Sequence, residues 1–221
     1  MGFRGWPAEA LEFFEGLAAD NSKSWWQAHK GAYEHVVKGP MDELLAELAP
    51  EFGAPKLFRP YRDVRFSPDK TPYKTHIGAT LGGLRGPNAA TGGGYVQLSA
   101  DGLGVGSGMY HLAPDQLHRF RRAVADDTTG PEIAGIVAGL RAAKLDVAAH
   151  ETLKTAPKGY PRDHPRVELL RHKGLIVWKS WEPAAWLGTR TAKDRVVEVL
   201  RAARPMQSWL DTNVGASLGR P

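Results

Sequence analysis

The apolar residues of this chain change their spacing between residues 52 and 57, and that change limits the folds it can adopt. Up to residue 52 they recur at helical intervals, as Leu11, Phe14 and Leu17 do within 7–18. Between residues 57 and 109, polar and apolar side chains alternate in short runs, which is the pattern of β-strands, and helical spacing returns after them. Helices that precede strands, without a regular βαβ alternation, predict an α+β fold. We expect an antiparallel sheet, with helices N-terminal to, between and C-terminal to the strands.

Residues that begin and end helices set the boundaries of the predicted helices. Pro7 and Pro40 suit first helical positions, and Asp20, Asn21 and Ser22 are cap-type residues before the second helix. The predicted helices cover 7–18, 22–37, 40–52, 113–126, 131–143, 165–172, 189–203 and 205–212.

Strands are predicted at 57–66, 74–82, 95–99, 102–109 and 174–181. The turn residues Asp101 and Gly102 predict a hairpin, and 85–93 is typical of a flexible surface loop. Glycines alternate along 102–108 and leave one strand face bare, which favours the close approach of another element, most often a helix.

Composition limits the available chemistry. The chain has 221 residues and no Cys, which excludes disulfides, thiol catalysis and Cys-ligated metals. No metal motif occurs, so neither a metal nor a cofactor is predicted. No repeat or long linker divides the chain, so we expect one domain, 1–221. The N-terminus lacks the apolar run of a signal peptide, and no window approaches a membrane span; a cytoplasmic protein without a membrane partner is expected.

The positive charge is concentrated in residues 56–76, which we call the cationic segment. It holds six Lys or Arg and two Asp, a net charge of +4, whereas the whole chain carries +5. A protein core does not accept so many cations without partners. A concentrated excess favours a compact, small anionic ligand bearing phosphate or carboxylate over a long polyanion such as nucleic acid.

Strand parity predicts which of these side chains lie together. If 59–66 is extended, Arg59, Tyr61, Asp63 and Arg65 share one face, and pairing with 74–82 adds Lys74 and His76 to it. Arg62 falls on the opposite face, beside Val64 and Phe66. Pro60 cannot donate to a ladder, which indicates an edge strand or a bulge.

This predicted surface has the residue types of an anion site. Arg and Lys bind phosphate or carboxylate, and His76 is the residue whose ordinary pKa is near neutrality. The predicted proton-handling residues are His76, Asp63 and Tyr73. The predicted ligand-binding residues of the segment are Arg59, Arg62, Arg65, Asp69, Lys70 and Lys74.

Two other functions remain open from the residues alone. The first is a nucleic-acid-binding module, in which Trp and Tyr rings stack on bases and a positive stripe reaches 119–122. The second is a non-enzymatic interaction protein, in which Asp63 neutralises Arg62 and Arg65 and the segment is a structural ion-pair network. The adjacent Trp25 and Trp26 point to different sides of a helix, so one is expected in the core.

A second polar cluster occurs at 157–165, where Pro and Gly shape a loop that is either a binding loop or a plain turn. Lys158 and His164 belong to it, and Lys173 follows close behind. We expect these three residues to contribute to ligand binding.

The pattern RxxRDxRF at 59–66, followed by DKxPYK at 69–74, resembles the bacterial domain-of-unknown-function family numbered 2461. Segments 12–26 and 157–174 resemble that family's Asn-x-x-x-Trp and Pro-Lys-Gly…His-Pro…Lys regions, so the likeness covers nearly the whole chain. The resemblance implies a widespread bacterial protein and favours the binding interpretation of both polar clusters, but it implies no activity.

Overall fold

A computed structural model describes residues 2–65, 67–82 and 93–219 of the chain. The α-helices are α1 (Glu9–Ala19), α2 (Lys23–Ala32), α3 (Gly39–Phe52), α4 (Pro114–Ala125), α5 (Thr129–Ala142), α6 (Val167–Leu170), α7 (Thr191–Ala202) and α8 (Arg204–Asn213). A π-helix, Tyr33–Lys38, joins α2 to α3, and a 3-10 helix covers Ala185–Gly188. The predicted helices are therefore present, with ends displaced by a few residues.

The strands are β1 (Lys56–Leu57), β2 (His76–Leu81), β3 (Gly93–Ser99), β4 (Gly102–Met109), β5 (Asp146–Ala148) and β6 (Leu175–Trp181). They form one six-stranded antiparallel sheet in the order β1-β2-β3-β4-β6-β5, with helices before, between and after the strands. The α+β prediction is confirmed, as are the strands of the β3–β4 hairpin. The short strand β5 was not predicted, and the loop predicted at 85–93 lies outside the described residues except for Gly93.

The prediction of a strand over 57–66 is wrong. Among the described residues of this stretch, Lys56 and Leu57 alone pair as a strand, with Thr80 and Ala79 of β2, and one isolated bridge joins Tyr61 to Tyr73. Pro60 lacks an N–H and interrupts the ladder, as expected for proline in a strand. Regular strand pairing of this stretch is therefore confined to its start among the described residues.

The chain divides into two compact units. Unit 1 comprises Met1–Leu81, Tyr95–Val105 and Ser180–Glu198, and unit 2 comprises Gly82–Gly94, Gly106–Lys179 and Val199–Pro221. The expectation of one domain stays a prediction.

In unit 1, α1 and the helical stretch from α2 to α3 pack around an apolar core with β2. Phe14, Leu17, Leu44 and Ile77 are buried there, and burying each such side chain contributes about 1.5–3 kcal/mol. Ser22 caps α2, because the Trp25 N–H donates to its hydroxyl oxygen at 3.2 Å. The helices before the cationic segment thus form a rigid support.

In unit 2, α4, α5 and α8 pack against one another and bury Phe120, Ile133 and Leu210. The Trp209 indole N–H donates to the Thr129 carbonyl at 3.0 Å. Within the described ranges, every helix is too short or too polar to cross a membrane.

Two of the alternating glycines of β4 lie close to residues of β6, the neighbouring strand of the sheet. A Cβ built on Gly106 would lie 2.7 Å from the Trp178 ring. At Gly102, whose φ is +104°, a Cβ would lie 2.1 Å from the Trp181 carbonyl oxygen. At these two glycines the close neighbour is a strand, whereas the sequence had favoured a helix as the commonest cause.

Candidate functional site

The two arms of the cationic segment run antiparallel, but their register changes between the ends. Leu57 lies opposite Ala79, whereas Tyr61 lies opposite Tyr73, so the pairing has shifted by two residues. The second arm therefore holds two extra residues between these pairs, which form a bulge. Because side chains alternate with a period of two, a shift of two residues keeps odd-numbered side chains of the two arms on the same face.

Asn21 connects this segment to the N-terminal helices. Its side-chain nitrogen donates to the Tyr73 carbonyl at 3.0 Å, and its side-chain oxygen accepts from the Tyr73 N–H at 3.0 Å. The hydrogen bonds that flank the Tyr61–Tyr73 pair come from the N–H groups of Arg62 and Lys74, so Tyr73 directs its own backbone groups away from Tyr61. The Asn21 side chain thus makes the two backbone hydrogen bonds to Tyr73 that a neighbouring strand makes in a regular sheet. The sequence had suggested only capping at this position.

Tyr73 itself is part of the core. Its side chain is 4% exposed and its ring stacks on Trp26, with centroids 4.4 Å apart. Burial raises the pKa of the Tyr73 hydroxyl, which keeps the group protonated at neutral pH. Trp26 is the buried member of the tryptophan pair, and Trp25 stacks instead on the exposed His29 at 4.0 Å. The structure therefore shows a packing role for Tyr73.

Asp63 and Arg65 pair with each other. The Arg65 guanidinium donates to both Asp63 oxygens, at 2.9 and 2.7 Å. These hydrogen bonds lower the pKa of Asp63 to about 2, so the carboxylate is ionised and unsuited to accept a proton at neutral pH. Both side chains are largely exposed.

Arg62 and Lys70 are also engaged within the segment. Arg62 pairs with Asp69 and donates to the Thr71 hydroxyl. The Arg62 hydrogen bond lowers the pKa of Asp69 to about 2. Lys70 donates to the Val64 carbonyl at 2.9 Å. These contacts brace the turn between the two arms.

Five of the predicted site residues meet in one cavity of about 450 Å³, which we call the Lys74 cavity. Its lining residues are Ala18, Asn21, Arg62, Asp69, Thr71, Tyr73, Lys74, Thr75 and His76. Strand parity had placed Arg62 on the face opposite Lys74 and His76, and that placement is wrong. The observed pairs, Leu57 with Ala79 and Tyr61 with Tyr73, put odd-numbered side chains of both arms on one face, so the even-numbered Arg62 lies on the face of Lys74 and His76.

Lys74 and His76 are half-buried in this cavity. Burial, assisted by the charge of Arg59, lowers the pKa of the Lys74 ammonium. Burial, assisted by the charge of Lys74, lowers the pKa of His76, so its imidazole is neutral at pH 7. The Lys74 ammonium lies 5.4 Å from the centre of the Phe58 ring, and no carboxylate among the described residues pairs with it.

Arg59 and Tyr61 line a different cavity, of about 560 Å³, which we call the Tyr61 cavity. Its lining residues are Trp26, Lys30, Tyr33, Glu34, Lys38, Asp42, Leu57, Phe58, Arg59, Pro60 and Tyr61. Parity had grouped Arg59 and Tyr61 with Lys74 and His76, so this part of the predicted face is also wrong. The cationic segment contributes to two cavities of unit 1.

Lys158, His164 and Lys173 belong to unit 2. Lys158 is exposed, the His164 ring accepts from the Arg166 N–H at 3.0 Å, and Lys173 pairs with Glu151. Neither the Lys74 cavity nor the Tyr61 cavity is lined by these three residues. Their binding role stays a prediction.

Sequence reasoning missed three polar residues of the Lys74 cavity: Asn21, Thr71 and Thr75. Asn21 is 52 positions from Tyr73 in the chain, so only the folded backbone reveals the contact. Across the described residues, no group of three or more His, Asp or Glu side chains is arranged to hold a metal ion.

A family model described as a conserved hypothetical protein (DUF2461) matches residues 9–209. No curated protein and no solved structure matches the chain.

Proposed function

This chain belongs to the conserved hypothetical protein family DUF2461. We propose its function from the geometry of the Lys74 cavity. The cavity binds a small anionic ligand through a phosphate or carboxylate group. Lys74 is the principal contact and the Thr75 hydroxyl is a further donor along the wall, whereas Arg62 and the Thr71 hydroxyl are engaged with Asp69. A volume of about 450 Å³ suits a small ligand.

The observation that carries this proposal is the Lys74 ammonium. It is half-buried, and the described residues supply it with an aromatic ring but no carboxylate. Removing a charge from water is unfavourable unless a counter-charge compensates for it. An anion in the cavity would provide that counter-charge, whereas Arg65 and Arg62 already pair with Asp63 and Asp69.

His76 is the proton carrier of the site if the bound ligand is also turned over. It lines the same cavity as Lys74, and its lowered pKa makes it a neutral imidazole that accepts a proton at pH 7. Asp63 is held ionised by Arg65, and the Tyr73 hydroxyl is held protonated by burial. Among the three predicted proton-handling residues, His76 is therefore the one that fits this role.

One observation favours the alternative of a structural ion-pair network. Arg65 with Asp63, Arg62 with Asp69, and Lys70 with the Val64 carbonyl all form contacts inside the turn. We assign a bracing role to these contacts and the binding role to Lys74. A nucleic-acid stripe is less favoured, because Arg119 and Arg121 use their guanidinium groups on backbone carbonyls.

The test is a thermal-shift titration with inorganic phosphate, and separately with acetate, against chloride at constant ionic strength. At a concentration of about ten dissociation constants, we expect phosphate to raise the wild-type melting temperature by about 3–5 °C. Lys74→Met, which keeps the length of the side chain and removes its charge, should abolish the shift.

Lys56→Met is the matched control. Lys56 is an exposed lysine of the same segment and lines neither cavity. It should retain the full phosphate shift. A shift that survives in Lys74→Met, or that falls equally in both variants, refutes the proposal. A wild type that responds to neither phosphate nor acetate also refutes it.

A further inference from the structure

One helical stretch supplies a lining face to the Tyr61 cavity. Trp26, Lys30, Glu34, Lys38 and Asp42 follow one another at steps of four, and all five line this cavity. In an uninterrupted α-helix, four residues rotate about the helix axis by one full turn plus ~40°. Trp26 and Asp42, four such steps apart, would then point in directions about 160° apart around the axis. The shared face therefore requires a local change of helical pitch.

The π-helix at Tyr33–Lys38 provides that change. A π-turn holds more residues than an α-turn, so four residues rotate by less than one full turn in it. This reverses the angular displacement that accumulates in the α-helical parts. The π-helix also places Tyr33, Glu34 and Lys38 in the lining. Such insertions are rare and are found most often at functional sites. The π-helix thus brings residues from both sides of it to the same cavity.

Aromatic side chains form much of the wall. Trp26 and Tyr33 are both 4% exposed, and their ring centres lie 4.9 Å apart. Tyr61 is 49% exposed and its ring lies 6.4 Å from that of Trp26. A half-exposed tyrosine ring beside a buried aromatic cluster offers a surface on which a planar ligand stacks.

The cavity also has cations without partners. Lys38 is paired with Asp42 at 2.7 Å and with Glu34 at 3.9 Å. Arg59 and Lys30, by contrast, are exposed and form no ion pair within 4.0 Å among the described residues, although the charge of Arg59 contributes to the lowered pKa of Asp63. Two exposed cations beside an aromatic wall suit a ligand with a ring and an anionic group.

We propose that the Tyr61 cavity binds a molecule of about nucleotide size that carries a planar heteroaromatic ring and an anionic group. The ring stacks on Tyr61, and the anionic group contacts Arg59 and Lys30. This site is separate from the Lys74 cavity and does not depend on the function proposed for it. The volume of about 560 Å³ lies within the range of small-molecule sites.

The experiment is calorimetric titration with three probes, which divide the ligand into its parts. AMP carries both ring and phosphate, adenosine lacks the phosphate, and ribose 5-phosphate lacks the ring. We expect AMP to bind at least about tenfold more tightly than either of the other two, because both contacts contribute. The titrations are run on the wild type and on Lys74→Met, in which phosphate binding at the Lys74 cavity is removed.

Variants then assign the binding to this cavity. Tyr61→Ala should weaken AMP binding about tenfold, and Tyr61→Phe should restore it to within about twofold, because the ring is kept. Arg59→Ala should weaken AMP binding about tenfold, and Lys30→Ala in the same direction. Lys23→Ala is the matched control: it removes an equal charge from the same helix at an exposed position outside the lining.

The outcomes separate the two proposals. AMP binding that persists in Lys74→Met and is lost in Tyr61→Ala supports the Tyr61 cavity, whatever the result with phosphate alone. AMP binding that disappears in Lys74→Met but survives in Tyr61→Ala and Arg59→Ala overturns this inference and leaves the Lys74 cavity as the site. No AMP binding at millimolar concentration, or equal loss in Lys23→Ala, overturns it as well.

Discussion

Asn21→Ala is expected to destabilise the protein far more than an ordinary surface substitution. The Asn21 side chain makes two hydrogen bonds of 3.0 Å to the backbone of Tyr73, a residue that is 4% exposed. Each bond contributes about 0.5–1.5 kcal/mol, and leaving a buried group unpaired costs about 1–3 kcal/mol. Asn21 is half-buried, so water partly replaces the lost partners. We therefore expect a loss of about 2–3 kcal/mol.

The assay is urea unfolding followed by tryptophan fluorescence, together with thermal denaturation. For a chain of this size, a loss of this magnitude lowers the melting temperature by about 5–10 °C. The matched control is Asn213→Ala, which removes the same atoms from a residue whose side-chain nitrogen donates one hydrogen bond, to the Trp209 carbonyl at 2.9 Å. We expect that variant to lose less than about 1 kcal/mol.

A third variant tests the geometry of the clamp. Asn21→Asp keeps an acceptor for the Tyr73 N–H but replaces the donor that faces the Tyr73 carbonyl. It should be less stable than the wild type at neutral pH and recover part of the difference when acid protonates the new carboxylate. If Asn21→Ala costs no more than Asn213→Ala, the clamp does not hold the segment and the reasoning fails.

Two further predictions concern stability. Burial lowers the pKa of His172, which is 5% exposed, so the unfolded chain binds a proton at a higher pH than the folded chain does. The free energy of unfolding should therefore decline as the pH falls below about 6.5, and it should decline less in His172→Leu. Urea unfolding at roughly pH 7.5 and pH 5 measures this difference. Gly106→Ala brings a Cβ to 2.7 Å from the Trp178 ring, whereas no atom lies within 4 Å of a Cβ on Gly139. The first should lose about 2 kcal/mol and Gly139→Ala should gain about 0.5–1 kcal/mol, so similar values for both would contradict the packing argument.

The helical half of the fold was predictable because its signals are local. Pro40 and Ser22 mark helix starts, and spacings such as Leu11, Phe14 and Leu17 need no knowledge of distant residues. The π-helix was not predictable in this way, since its distinguishing mark is a widened hydrogen-bond pattern within a continuous helix. It matters for the site, because it aligns one face of that helix with the Tyr61 cavity.

The sequence located the candidate site in one segment, and the structure distributes the residues of that segment between two cavities. Charge density alone selected residues 56–76, and five of the chosen side chains line the Lys74 cavity. The sequence then placed Arg59 on the face of Lys74 and His76, and Arg62 on the opposite face, which is the reverse of what the structure shows. Which residues of the two arms share a face depends on their pairing, and both observed pairs, Leu57 with Ala79 and Tyr61 with Tyr73, put odd-numbered residues opposite odd-numbered ones.

The sequence by itself determined the fold class, most of the helices and strands, and the segment that carries the positive charge. These depend on short-range periodicity and on counting. Only the tertiary structure decided which cations have partners: Arg65 pairs with Asp63 and Arg62 with Asp69, while Lys74 has no carboxylate partner among the described residues. Ion pairing depends on distances of a few ångströms set by the backbone path, and residues such as Asn21 set that path from far away in the chain.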